Sequence, residues 1–248
     1  FASVGAGVQL TADWVLAAAH LGYAAGGSYT NGFGTRSIAA AYNAPGSQIV
    51  PANDLTLLRL VAGPVVSPAP LVAVSSLFVP YGSFAAQAVT ITSANGNIYP
   101  QRGFAYASID ESLAQAEPDG GGPLVTVNWL LSHSTQTYVE GGDSGGGLFM
   151  GQVLNTGLLL GITSAQIQDG DGRPTGSTFV QPAAYRGWLD QTMLNDPTDM
   201  QAILWQAPSA VPEPAALALT SVGLLMMAGW VRRQRRQPSR HAGEAPRG

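Results

Sequence analysis

The 248-residue chain has no cysteine and no lysine, and only 10% of its residues are charged, against roughly 25% in an ordinary soluble domain. Without cysteine, disulfides and thiolate metal sites are excluded, and nothing marks a redox compartment. No motif for a cofactor or metal cluster is present. The acidic "DGDGRP" at 169–174 suggests calcium, but lacks the full twelve-residue ligand pattern and reads as a turn. The chain opens "FASVGAGVQL", with no recognisable signal peptide, and reads as a fragment or processed form. The charge that remains is divided unevenly. Up to Val231, five arginines face fourteen acids, a net −9; beyond it, six arginines face Glu244 alone, a net +5. The acidic body argues against a nucleic-acid partner.

What the chain does have is glycine (31) and proline (17), which favour many turns over long helices. Up to about Gln181, short segments rich in Val, Ile, Thr, Leu and Tyr recur between turn residues. They are "GVQL", "RSIAAAY", "DLTLLRLV", "QAVTITS", "RGFAYASI", "PLVTVNWLL", "TGLLLGITS" and "STFVQ". Short strands with no amphipathic helix between them predict an all-β barrel or sandwich. Two stretches break the pattern. "GPVVSPAP" at 63–70, with three prolines in eight residues, reads as a linker between two β units. "PAAYRGWLDQTML" at 182–194 places Tyr185, Trp188 and Leu189 at helical spacing, with Pro182 in the first turn. It predicts a short closing helix.

Beyond a polar spacer the character changes. "VPEP" at 211–214 precedes seventeen uncharged residues, 215–231, and "RRQRR" follows at once. Seventeen helical residues reach about 25 Å, the short end of a membrane span. Arginines directly after such a run hold that end on the cytoplasmic side, so the body would lie across the membrane. A buried core helix is the other reading of the run.

The chemistry concentrates in "EGGDSGGGLF", 140–149. Residues 142–146 satisfy G-x-S-x-G, the nucleophile elbow of α/β hydrolases. That elbow needs a strand–turn–helix context and a histidine after the serine. The only histidine after Ser144 is His241, in the basic tail, so this reading fails. A serine nucleophile still needs a base and an acid to orient it. His133, in "LLSHSTQT", reads as a surface histidine. His20 ends "TADWVLAAAH", where small alanines let the backbone pack tightly and fix an imidazole. Asp54 heads the apolar "DLTLLRLV". An acid entering a core needs a hydrogen-bonded partner, which an imidazole N–H would supply; a turn role shared with Asn53 is equally open.

Together "DWVLAAAH", "NDLTLLRL" and "GGDSGGGL" resemble the histidine, aspartate and serine motifs of the trypsin-like serine proteases of chymotrypsin fold, in that family's order. The resemblance runs from about residue 4 to 194. It implies an N-terminal β-barrel over 1–63, expected to be incomplete at its start, a linker at 64–70, and a second antiparallel β-barrel with its short helix over 71–195. It implies a polypeptide substrate and no cofactor, with Ser144 as nucleophile, His20 as general base and acid, and Asp54 holding the imidazole. The N–H groups of Gly142 and Ser144 would form the oxyanion hole. Ser164 matches a serine beside the catalytic aspartate, and Asp143 the acid that pairs with a freed N-terminal amine. Tyr138, Gln166 and Ser177 match the specificity pocket, which would be shallow and uncharged, suited to small or modest apolar side chains. The chain departs from the family in Ala17, where threonine is usual, and in lacking the family's cysteines. With nineteen residues before His20, Asp143's amine partner is expected to be missing, and Phe1 fits that role poorly.

After the spacer at 196–210, the segment 211–236 resembles a PEP-CTERM sorting signal, followed by a polar tail at 237–248. That resemblance implies export, at least transient membrane attachment through the C-terminal span, and processing by an exosortase-type enzyme; a plain C-terminal anchor is the alternative. The combined expectation is an exported serine endopeptidase. Its rival is a catalytically silent homologue acting as a surface or matrix binding module, and a serine esterase stays open.

Overall fold

The computed structural model describes residues 5–31, 34–45, 53–63, 71–73, 87–92, 104–118, 124–151, 158–196 and 202–206. The inter-barrel linker at 64–70, Phe1, the apolar run at 215–231 and the sorting segment at 211–236 lie outside these residues. Among the described residues no helix is long and apolar enough to cross a membrane. The chain divides after Pro208 into two units, and the described residues all fall in the first.

Strands dominate. The first half contains β1 (Val8–Gln9), β2 (Trp14–Ala17), β3 (Ser28–Asn31), β4 (Gly34–Asn43) and β5 (Thr56–Leu60), in the order β1-β2-β5-β4-β3, all antiparallel. β5 is central and buried along most of its length, which suits its leucines; only Arg59 is half-buried. Leu58 and Leu60 turn inward onto Val15, Ala17 and Ile38. Leu57 faces the other way, with Leu55, Trp14 and Leu16.

The second half holds β6 (Leu71–Ala73), β7 (Gln87–Thr92), β8 (Phe104–Ile109), β9 (Glu111–Pro118), β10 (Leu124–His133), β11 (Gly147–Met150), β12 (Leu158–Gln168), β13 (Pro174–Val180) and β14 (Trp205–Gln206). Its main path is β8-β7-β11-β12-β13-β10-β9. β8 passes through Asp110 directly into β9, and the Asp110 N–H donates to the Leu131 carbonyl at 2.9 Å, so the pairing returns to its start. Val89, Ile91, Ile109, Leu130, Leu148 and Phe179 fill the interior.

A third cluster joins the halves. Trp14, Leu16, Leu55 and Leu57 pack with Trp129, Leu159, Ile162 and Val180, capped by Tyr185, Leu189 and Met193. Fully burying each such large side chain contributes roughly 1.5–3 kcal/mol. The capping residues come from a 3₁₀ turn, Pro182–Tyr185, running into helix α1, Arg186–Leu194. The expected short helix is therefore present, entered through a tighter turn.

The architecture is all-β, two half-barrels with one short helix, as the strand pattern and the chymotrypsin-fold resemblance implied. Each of the eight predicted segments overlaps an observed strand. β3, β6, β9, β11 and β14 lie outside the expected strands. β9 reads ESLAQAEP, with little intrinsic strand preference; eight residue pairs with β10 impose it, a tertiary override of propensity.

Candidate active site

His20 lies in the 3₁₀ turn Ala19–Leu21, immediately beyond β2. Asp54 stands just before β5. Since Ala17 pairs with Thr56 in the antiparallel β2–β5 ladder, the two residues emerge at the same end of the sheet. The His20 N–H donates to Asp54 Oδ1 at 2.8 Å, and His20 Nδ1 lies 2.7 Å from Oδ2. His20 Nε2 lies 2.9 Å from Ser144 Oγ, across 124 positions of sequence. Asp54 is fully buried while the His20 side chain is partly exposed. The arrangement runs from a buried carboxylate, through an imidazole, to a hydroxyl at the surface.

The nucleophile turn is built from backbone contacts. The Asp143 N–H donates to the Glu140 carbonyl at 3.1 Å and the Gly146 N–H to the Asp143 carbonyl at 3.0 Å. The Gly145 N–H reaches the Thr163 carbonyl at 2.8 Å, and the Ser144 carbonyl accepts from Ala6 N–H at 2.8 Å. Gly145 has φ +85, and a Cβ there would collide with the Ala6 carbonyl oxygen. No other residue fits that position.

Ser164 reaches the site through an irregularity. Thr163 pairs with Phe179 and Ala165 with Thr178, so Ser164 is an extra residue on β12. Such a bulge re-aims a side chain. The Ser164 hydroxyl donates to Asp54 Oδ2 at 2.5 Å. Asp54 thus accepts from the His20 N–H, the His20 ring and the Ser164 hydroxyl, which offsets the cost of burying its charge.

Gly142 has φ +101, which sets the direction of its N–H. The Asp143 side chain is fully buried behind the turn. Its Oδ2 accepts from the Glu140 N–H at 2.8 Å, while Oδ1 has no partner among the described residues.

The three residues expected to line the pocket form one patch around Val139. The Val139 N–H donates to Ser177 Oγ at 3.0 Å, and Gln166 Nε2 donates to the Val139 carbonyl at 2.8 Å. Gln168 Nε2 donates to Gln166 Oε1 at 2.6 Å, holding the carboxamide from its other end. Tyr138 is half-buried next to Val139. The remaining candidates stay apart from the site. His133 is exposed at the end of β10, where its backbone N–H donates to Asp110 Oδ2. In 169–174, Asp169 Oδ1 accepts the N–H groups of Asp171 and Arg173 at 3.0 and 2.8 Å, so this is a self-capped turn.

Two residues that sequence reasoning did not place at the site lie directly behind Asp54. The Tyr185 hydroxyl donates to Asn53 Oδ1 at 2.6 Å, with both side chains buried. Burial, and secondarily the Asp54 charge, push the Tyr185 phenol well above its ordinary range. Asn53 is the neighbour of Asp54, which could have flagged it; nothing local ties Tyr185 to a residue 132 positions away.

A protein-family model described as Trypsin matches residues 2–189. No curated protein matches the chain. Among solved structures, the chain is similar to a scabies mite inactivated protease paralogue, with TM-score 0.50 and 14% identity over 77% of this chain and 87% of that one. It is also similar to a mutant of human heparin binding protein, with TM-score 0.55 and 17% identity over 80% and 89% of the two chains. Identities this low speak for the fold alone, whereas the family model spans most of the sequence: the chain belongs to the trypsin family.

Proposed function

We propose that the protein is an exported serine endopeptidase. The continuous relay from Ser144 Oγ to His20 Nε2 at 2.9 Å, and from His20 Nδ1 to Asp54 Oδ2 at 2.7 Å, carries this reading. His20 Nε2 takes the Ser144 proton as Oγ attacks a peptide carbonyl. Asp54 holds the Nδ1–H tautomer and stabilises the imidazolium. The N–H groups of Gly142 and Ser144 receive the oxyanion, each such donor being worth on the order of 3 kcal/mol in the transition state. His20 then protonates the leaving amine, and a water molecule, activated the same way, releases the acyl group. Gln166 and Ser177, both bonded to Val139, are read as walls of the acyl-side pocket, as the family resemblance implies. This favours small, uncharged side chains on the acyl side of the scissile bond.

The second reading is a catalytically silent binding module. It draws on the two solved structures, one named as an inactivated protease paralogue and the other as a heparin binding protein. The net −9 body would repel a polyanion, so the binding version would need another class of partner.

The decisive measurement is labelling of the full-length protein with a fluorophosphonate probe beside a Ser144→Ala control. Labelling that disappears in the control supports the enzyme; unlabelled, fully processed wild type sinks it. For 211–236 we retain the sorting reading, with export, membrane attachment and exosortase-type processing. Mass spectrometry of the mature C-terminus tests it: loss of the arginine cluster supports processing, and an intact "RRQRR" end supports a plain anchor.

A further inference from the structure

Asn53 presents a physical oddity. It is fully buried, its Oδ1 accepts from Tyr185, and its Nδ2 has no partner among the described residues. A buried polar group left unsatisfied costs about 1–3 kcal/mol. Such breaches of local rules concentrate where a site needs a defined geometry. Asn53 is covalently joined to Asp54, and its carbonyl accepts the Leu55 N–H at 2.7 Å, closing a tight turn around the carboxylate residue. Tyr185 reaches this turn from the other half of the molecule. It ends the 3₁₀ turn ahead of α1 and is wedged edge-on against Trp188, ring centroids 6.5 Å apart.

We infer that Tyr185 and Asn53 form a positioning pair that sets Asp54, and through it His20, from behind. This rests on the reading of Ser144, His20 and Asp54 as a working triad. Asp54 is gripped from three directions: from its own half by the His20 N–H, from β12 by the Ser164 hydroxyl, and through its neighbour Asn53 by Tyr185. The first two contacts fix the carboxylate oxygens. The third fixes the backbone that carries them, and with it the distance from β5 to the second half. Without it the turn can relax away from His20 while the sheets on either side stay paired.

A second link between the halves supplies the control. Arg59 of β5 pairs with Asp196, just beyond α1, at 3.0 Å. It joins the same two regions through other side chains. Tyr185→Phe removes one hydroxyl, and Asp196→Asn breaks the remote ion pair.

Two quantities are measured for each variant: the rate at which a fluorophosphonate probe modifies Ser144, and the proton resonance of His20 Nδ1 hydrogen-bonded to Asp54. Tyr185→Phe is expected to slow labelling about five- to thirtyfold and to shift the Nδ1 proton resonance. Asp196→Asn is expected to lower thermal stability and leave both signals in place. In an Asp54→Asn background, Tyr185→Phe is expected to have no further effect on labelling, because a double-mutant cycle isolates action through Asp54. An unchanged labelling rate and Nδ1 signal in Tyr185→Phe overturns the inference. So does an equal slowing in the Asp54→Asn background, which would mark a purely structural role. If wild type itself does not label, the triad reading fails, and the Nδ1 resonance still decides whether Tyr185 positions Asp54.

Discussion

At the scale of single residues, the site combines side chains with very different tolerances. Ser164 exists at Asp54 only because β12 carries an extra residue there, and its hydroxyl is one of three donors to a buried charge. Ser164→Ala leaves the bulge but removes that donor. Hydrogen bonds to charged groups are worth about 1.5–3 kcal/mol, so acylation of Ser144 is expected to slow on the order of tenfold or more. The same lost bond is expected to lower the melting temperature by roughly 3–12 °C; labelling kinetics and calorimetry on the same sample check both. In the proposed function Gln166 bears on selectivity instead. Its carboxamide is held between the Val139 carbonyl and Gln168. Gln166→Gly is expected to raise the relative cleavage of peptides with larger apolar acyl-side residues, read from a substrate library. An unchanged preference would remove Gln166 from the specificity argument. His20, Asp54 and Ser144 were legible in the sequence, because each sits in a short motif whose neighbours constrain it. Tyr185 and Asn53 were not legible as partners, because their contact is purely tertiary.

At the scale of elements, the nucleophile turn and the terminal helix carry the largest consequences. Gly145 combines φ +85 with direct backbone contact to Ala6. Gly145→Ala must both strain the turn and push the Ala6 segment away, and costs of these kinds add. A loss of about 3 kcal/mol or more in denaturant stability is expected, together with loss of Ser144 labelling. The helix entry has a pH signature. Burial, and then the Asp54 charge, raise the Tyr185 phenol above its ordinary 10.0. Folding therefore favours the protonated phenol. That contribution is complete below pH about 10 and is lost as pH climbs through the folded value. Tyr185→Phe has no such proton to lose, so its stability is expected to fall less steeply than wild type above pH 10, in urea titrations at stepped pH. The strands themselves divide into two kinds. β5 and β12 announce themselves by apolar runs, whereas β9 forms because β10 lies beside it. The closing helix was visible in the spacing of Tyr185, Trp188 and Leu189, but the 3₁₀ turn that delivers Tyr185 to Asn53 was not.

At the scale of the whole molecule, the contact pattern closes on itself within residues 1–208. A chain ending at Pro208 is therefore expected to fold with the melting temperature of the longer protein and to label at Ser144 equally well. It should also lose any association with membranes, tested by fractionating both forms side by side; a collapse of its stability would show that the fold depends on the remaining segment. What the sequence determined by itself was the class of fold, the identity of the three residues that meet at the site and the change of character after residue 210. Each depends on local pattern, in strand-length apolar runs, in motif context and in charge segregation. Tertiary structure alone decided the rest. It set the 2.9 Å approach of His20 to Ser144, the bulge that aims Ser164, the clasp of Gln166 on Val139 and the reach of Tyr185 to Asn53. The first and last depend on how two sheets pack around a shared apolar cluster, and the bulge and the clasp on pairing within the second half. That packing is fixed by the summed fit of side chains far apart in sequence, which no short window of residues contains.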